Sequence, residues 1–366
     1  MAKNLYIAAT AKDVGKSTVS FALLNYLITR NKKVSFMKPV GQRWLDSPWG
    51  KVEEDVILMK KVFQFQEAAT EMNPVVIRRG FTEEYLSSEK KTDLSTTISD
   101  AYCKVSQDKD YVIIEGTGHA GVGSVIDQSN ADVASLLDAK VVLLAKGGIG
   151  STIDELELNY KFFKSKNADV IGIILNKVLL SKKEKVERAI KSYCKSRNLE
   201  LFGLIPFSPT LRNPTLGQII EELKPTIIKE TDERNLVVDD FLVVASTVNE
   251  FVNYFKSIKG NQLLIMPTTR MDITFSIPLL KSVMDMADKR VFTILFSGLR
   301  PPSQTIIKSL EGEHINILWR KGDTFTLISK LAQISIKTRS ENSSKIDEIK
   351  HLVNDNINFD SLFSTL

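Results

Sequence analysis

The stretch that most constrains this chain is NLYIAATAKDVGKSTVSFALLNYL, residues 4–27. It reads as a short apolar strand, a tight polar turn ending in Gly15-Lys16-Ser17-Thr18, and an apolar-periodic helix. A strand that passes into a helix through such a turn is the setting of a phosphate-binding loop. Gly15, Lys16 and Ser17 meet the pattern G-x-x-x-x-G-K-[ST], with Thr10 in place of its first glycine. The backbone N–H groups of Lys12, Asp13, Val14, Gly15, Lys16, Ser17 and Thr18 are expected to wrap phosphates, and the helix dipole adds positive field. Lys16 would reach the terminal phosphates and the Ser17 hydroxyl would ligate Mg²⁺.

A chain of 366 residues exceeds what one core usually organises, so two domains are expected. No apolar run approaches a membrane span. The N-terminal MAKNLYIAAT has one Lys, a short apolar run and then the loop, which reads as a buried strand and not a signal peptide. A cytoplasmic location follows as an expectation. The two cysteines, Cys103 and Cys194, exclude a disulfide framework and sit in helix-like segments where they are expected to be inert. The net charge of +5 comes from lysines scattered among acids, as at Lys32-Lys33, Lys60-Lys61 and Lys182-Lys183. Without a basic stripe interleaved with aromatics, nucleic acid is not the expected partner.

Apolar runs alternate with helical patterns along the first half. Strands are expected near Leu5–Ala9, Val34–Val40, Tyr111–Glu115, Val141–Ala145, Val170–Leu175 and Leu201–Ile205. Helices fall between them at Ser17–Thr29, Glu53–Gln66, Asp93–Gln107, Ala131–Leu137, Thr152–Ser165 and Lys183–Ser196, with a capping box from Thr152 to Glu155. Runs that are apolar throughout suit parallel strands covered on both faces. The alternation argues for an α/β fold, a doubly wound and mostly parallel sheet, with a second, smaller α/β domain behind it. Ligands of such sheets bind at the carboxyl ends of strands. Those ends are rich here: Lys38-Pro39-Val40-Gly41-Gln42-Arg43, Glu115-Gly116-Thr117-Gly118-His119, Lys146-Gly147-Gly148 and Asn176-Lys177.

The first pattern is expected over residues 1–223 and a polar, charged linker over 224–240. A second alternating unit fills 241–366, with a helical tail from Lys337. Its strands are expected at Phe241–Ala245, Gln262–Met266, Phe292–Phe296 and Ile315–Leu318, and its helices near Asn249–Ser257, Phe275–Met286, Ser303–Leu310 and Thr326–Gln333. Three strand ends carry Arg270 with Asp272, Arg300, and Arg320-Lys321 with Asp323. They read either as an anion or nucleotide effector pocket or as plain surface charge.

The loop ATAKDVGKST, the KPVG strand end, EEDVILMKK, the EGTG element, the ILNKV strand and the GLIPF turn occur in one order over roughly the first 210 residues. In these the chain resembles dethiobiotin synthetase and the related P-loop domains of long bacterial phosphotransacetylases and cobyrinic-acid amide synthases. TRMD at 269–272 and FSG at 296–298 resemble the DRTGG-type domain that follows this module in long phosphotransacetylases, with Thr269 where the domain's name has Asp. The resemblance implies an ATP- and Mg²⁺-dependent P-loop protein with a regulatory or dimerising second domain, and a homodimer. It makes Ser17, Asp55 and Glu115 the Mg²⁺ shell, a hydroxyl with carboxylates as a hard cation requires. The competing reading of Asp55 is a charge at a helix start. Lys38 corresponds to the lysine that neutralises the phosphoryl group and its acceptor, which with Lys16 and Glu115 would carry the chemistry. Asn176 and Pro206 would frame the adenine, Asn176 as a strand cap being the alternative. His119 is expected to contact substrate, a loop histidine satisfied by backbone being the alternative, and Arg78 and Arg79 are further candidates for a small anionic substrate.

Departures from the family limit the assignment. The segment NPVVIRRGFTEEYLSSE lacks the Ser-Pro-His stretch of dethiobiotin synthetase, which argues against a diaminononanoate substrate. Neither cysteine lies in a Gly-rich nucleophile turn, which argues against glutamine hydrolysis. The 366 residues are expected to leave no room for a phosphotransacetylase catalytic domain. Two functions remain open. One is an ATPase or ligase-like enzyme that activates a carboxylate or carbamate by phosphoryl transfer. The other is a nucleotide-sensing protein that controls a partner enzyme of acyl-phosphate or cofactor metabolism.

Overall fold

The computed structural model describes residues 2–42, 44–89, 91–283, 290–311, 314–334 and 336–366. Arg43 and the expected helix end at Met286 lie outside the described residues. The chain forms two compact units, Met1–Ser208 with Thr338–Leu366, and Pro209–Lys337.

The first unit is built on six parallel strands in the order Glu200–Pro206, Asp169–Val178, Lys140–Lys146, Lys3–Ala9, Tyr111–Glu115 and Val34–Met37. Leu5, Ile7, Ile113, Val142 and Leu143 are fully buried, because helices cover both faces and leave no solvent side to demand alternation. The strand Lys3–Ala9 lies inside the sheet, between Tyr111–Glu115 and Lys140–Lys146. The phosphate loop therefore leaves the sheet with a strand end on either side, the geometry that opens a ligand crevice. The sheet is the doubly wound α/β arrangement expected.

Residues 338–366 belong to this unit. The helix Ser343–Asn354 packs against the helix Lys16–Ile28. Beyond it, Tyr26 stacks on Phe359 at 4.2 Å and on Phe363 at 5.6 Å, and donates its hydroxyl hydrogen to Asp360 at 2.6 Å.

The second unit has five strands in the order Thr226–Lys229, Ile315–Lys321, Phe292–Gly298, Gln262–Pro267 and Asp240–Val243. Only the first pairing is antiparallel. Along Gln262–Pro267, Leu264 and Met266 join a core with Phe251, Phe255, Ile273 and Ile277. Leu263 and Ile265 join another with Leu216, Ile219, Val238 and Leu327. Period-2 alternation thus feeds two helical layers, one on each face.

Several expectations need correcting. The segment expected as a linker, 224–240, contains the strand Thr226–Lys229, and the helix Leu216–Leu223 ahead of it packs into the second core. The strand is short, exposed and lysine-bearing because it is an edge, and an edge protected in that way reads like a linker. The apolar tail residues cover the first unit and not the second. The strand expected to run to Val40 stops at Met37, and Val40–Gly41 pairs separately with Val75–Val76, Pro39 having no N–H for the main ladder. Thr152 is not a helix cap. The helix begins at Gly150, and the Thr152 hydroxyl donates back to the Lys146 carbonyl at 3.1 Å.

Candidate functional site

The loop after Ala9 turns through Asp13 at φ 55° and Gly15 at φ 114°, backbone conformations that let the helix start at Lys16. A Cβ at position 15 would also lie 2.1 Å from the Asn176 amide nitrogen. Asn176 donates to the Val14 carbonyl at 2.8 Å and Lys177, itself at φ 60°, donates to the Asp13 carbonyl at 2.6 Å. Two adjacent residues of one strand end thus occupy loop carbonyls. Thr10, buried, donates its hydroxyl hydrogen to Glu155 at 3.0 Å. Lys12 and Asp13 are exposed, Val14 is buried, and Ser17 and Thr18 are half-buried in the first helical turn.

Lys16 is buried and its ammonium donates to the Gly118 carbonyl at 3.1 Å. Burial pushes it down to about 8, against the opposing pull of Glu115. Ser17 donates to Glu115 Oε1 at 2.9 Å. The same oxygen accepts from Lys38 at 3.3 Å, and Lys38 also contacts Glu53 at 3.2 Å and hydrogen-bonds Asp55. Burial opposes the charge on Lys38, but Asp55, Glu115 and Glu53 together hold it well above the usual lysine range. Asn73 fixes the geometry of this cluster: its amide donates to the Lys38 carbonyl at 2.8 Å and its oxygen accepts from the Glu53 N–H at 3.0 Å.

Ser17, Lys38, Asp55 and Glu115 are therefore joined in one network, and Lys16 rests on the Gly118 carbonyl three residues beyond Glu115. Among the described residues no three His, Cys, Asp or Glu side chains form a metal-holding group. The donors that are present, a loop hydroxyl beside carboxylates, are the hard oxygens that Mg²⁺ takes when phosphates and water supply the remainder. In that sense the residues fit the ion.

Other expected residues stand apart from this network. His119 is exposed, and its Nδ1 accepts the Gly121 N–H at 3.2 Å. Pro206 ends the strand beside Asn176 and pairs with Val178. Arg78 engages Glu84 at 2.6 Å at an exposed position, and Arg79 is exposed. In the second unit, Arg270 makes a two-armed pair with Asp272 at 2.9 Å and donates to the Ser246 carbonyl at 2.8 Å. Arg320 donates to the Lys224 carbonyl at 2.8 Å, and Asp323 caps the helix Thr324–Ala332. These partners favour the surface and structural reading over an effector pocket.

The structure adds Glu53, Asn73 and Asn130 to the site, and gives Glu155 and Lys177, expected at a helix start and a strand end, contacts to Thr10 and the Asp13 carbonyl. Glu53 stood in view, in the acidic run that contains Asp55. Its extended backbone at the helix N-cap turns it to Lys38.

A glycine-bearing loop between a central parallel strand and its helix, with lysines and carboxylates gathered at the next strand ends, defines a P-loop nucleotide-binding protein. The AAA domain family model matches residues 3–215, more than half of the chain, and the chain belongs to that family. A DRTGG domain follows over residues 218–334. The phosphate acetyltransferase of Nitratidesulfovibrio vulgaris is 26% identical over 378 residues, covering 100% of this chain and 52% of that protein. That of Synechocystis is 22% identical, covering 85% of this chain and 44% of its own length. The ATP-dependent dethiobiotin synthetase BioD of Methanococcus vannielii is 26% identical, covering 55% of this chain and 92% of its own. The chain spans about half the length of the phosphate acetyltransferases it matches. It is a dethiobiotin-synthetase-like P-loop domain followed by a DRTGG domain. No helix among the described residues is long and apolar enough to cross a membrane.

Proposed function

We propose that the first unit binds ATP with Mg²⁺ and activates a carboxylate or carbamate by transfer of the γ-phosphoryl group. The observation that supports it is the sharing of one Glu115 oxygen by Ser17 and Lys38, with Lys16 resting on the Gly118 carbonyl just beyond the same strand end. Backbone N–H groups of residues 12–18 hold the phosphates and Lys16 moves from the Gly118 carbonyl onto them. Lys38 neutralises the incoming acid oxygen and the equatorial phosphoryl oxygens while ADP departs. Ser17, Asp55 and Glu115 would hold Mg²⁺, which when bound neutralises phosphate charge. ATP turnover with and without Mg²⁺ tests this reading. Wild-type protein that neither binds nor hydrolyses ATP, and so matches Lys16→Ala, would sink it.

A second reading, nucleotide sensing without synthesis, has its own support. Arg78, in the segment that replaces the missing substrate stretch, is engaged with Glu84. Lys38→Ala separates the two, with thermal melting confirming that the variant is folded. Turnover lost with ATP affinity kept favours chemistry. Unchanged control of a partner enzyme with the same affinity favours sensing.

A further inference from the structure

Glu115 is followed by Gly116-Thr117-Gly118-His119, a loop whose Gly118 carbonyl is the acceptor on which Lys16 rests. A loop of that composition has little conformational preference of its own, so something must hold it. The holder is a single buried amide. Asn130 Oδ1 accepts from the Tyr6 hydroxyl at 2.9 Å and from the Thr117 N–H at 2.9 Å. Asn130 Nδ2 donates to the Thr117 carbonyl at 2.7 Å and to the His119 carbonyl at 2.6 Å. Both donors and both acceptor sites of the carboxamide are thereby used, three of the four on this loop.

Packing agrees with the hydrogen bonds. A Cβ at Gly116 would come within 2.7 Å of Asn130 Oδ1 and 2.9 Å of the Tyr6 ring, so the loop lies directly on the amide. The loop's far end is pinned by Asn159, which accepts the Ala120 N–H at 2.8 Å. Its near side reaches the other lysine: the Thr117 hydroxyl donates to the Val40 carbonyl at 2.5 Å, two residues beyond Lys38.

We propose that Asn130 is a positioning residue of the nucleotide site. It holds the Gly118 carbonyl where the Lys16 ammonium rests before phosphate replaces it, by fixing the Thr117 and His119 backbone on either side. This inference rests on the nucleotide-binding reading above. It has a sign that a damaged fold does not share. Without the held carbonyl, Lys16 loses a competitor for phosphate, so ATP affinity is kept or slightly raised. Turnover falls, because the residues that follow Glu115 are no longer placed.

The test uses the full chain carrying Asn130→Asp, Asn130→Ala or Tyr6→Phe. Asn130→Asp keeps the shape and both accepted hydrogen bonds, and sets an oxygen against the Thr117 and His119 carbonyls. Amide exchange of residues 117–122 without nucleotide should quicken by about tenfold or more in the Asn130 variants, with protection elsewhere in the unit retained. Turnover at saturating ATP should fall roughly 10- to 100-fold, while the ATP Kd stays within about threefold or tightens. Tyr6→Phe should show the same pattern more weakly. Unchanged exchange in the loop overturns the inference, and so does protection lost throughout the unit, which would make Asn130 a folding residue. Wild-type protein that binds no ATP overturns the nucleotide reading instead, and the exchange data then stand apart from it.

Discussion

The two units present cations at the carboxyl ends of parallel strands in opposite ways. In the first, Lys16 and Lys38 are buried, and their partners are a loop carbonyl and buried carboxylates at a strand end and a helix start. Phosphate or a metal could take over each of those contacts. In the second, Arg270 is divided between Asp272 and the carbonyls of Val244 and Ser246, and Arg320 is held by a carbonyl. These arginines tie loops to their own sheet. The same sheet edge, read only as charge at strand ends, looks alike in both units. Which acceptors the cations meet, and how deeply they are buried, distinguishes a site from a brace.

That contrast breaks most sharply at Lys38. Lys38→Met removes an ammonium shared by Glu53, Asp55 and Glu115, and should cost about 3 kcal/mol of stability in urea unfolding. Added Mg²⁺ should return part of the loss if those oxygens take the ion. An undiminished midpoint, or one indifferent to Mg²⁺, would mean the cluster is not the site. Lys16→Ala comes next, with ATP affinity expected to fall about 100-fold, the worth of a charge-assisted contact of about 2.7 kcal/mol, as read by calorimetry.

How far these features were legible in the sequence follows from the kind of signal each one leaves. The phosphate loop writes its chemistry in consecutive residues, and the sheet's parallel strands are uninterrupted apolar runs, so both were readable directly. Lys38, Asp55 and Glu115 are 17 to 77 residues apart, and only a family resemblance linked them before the fold did. Asn130 stands in the sequence as one more polar residue behind Ser129, just ahead of the helix expected at Ala131–Leu137. Nothing local marks an amide whose four partners come from Tyr6, Thr117 and His119. The tail was misassigned because the covalent order places it after the second unit, while Phe359 and Phe363 find their partner in Tyr26. Hydrophobicity shows that a residue will be buried and not against what.

The brace in the second unit gives the converse prediction. Arg270→Ala should lower that unit's stability by about 1–2 kcal/mol, since a charged pair and two carbonyl contacts go together. ATP affinity should not move. A shift in affinity comparable to that of Lys16→Ala would make Arg270 part of a ligand site and erase the distinction drawn between the edges.

The smallest effect sharpens the comparison from within the first unit, where a brace of the second kind also occurs. Arg197 meets Glu157 with two arms at 3.0 Å, and Tyr193 adds a hydrogen bond at 2.9 Å. The Arg197 hydrogen bonds lead in pushing the Glu157 carboxyl down to about 2. A carboxylate depressed on folding contributes its full stabilisation above the ordinary glutamate range and loses it as pH falls through the folded value. The wild-type protein should therefore shed this contribution between about pH 4.5 and pH 2. Arg197→Met should be less stable at neutral pH, with a shallower acid limb, and should converge with wild type at the low end. Denaturant midpoints taken across that range check the slope. A constant gap at every pH would mean that Arg197 acts through packing of its stem and not through its charge.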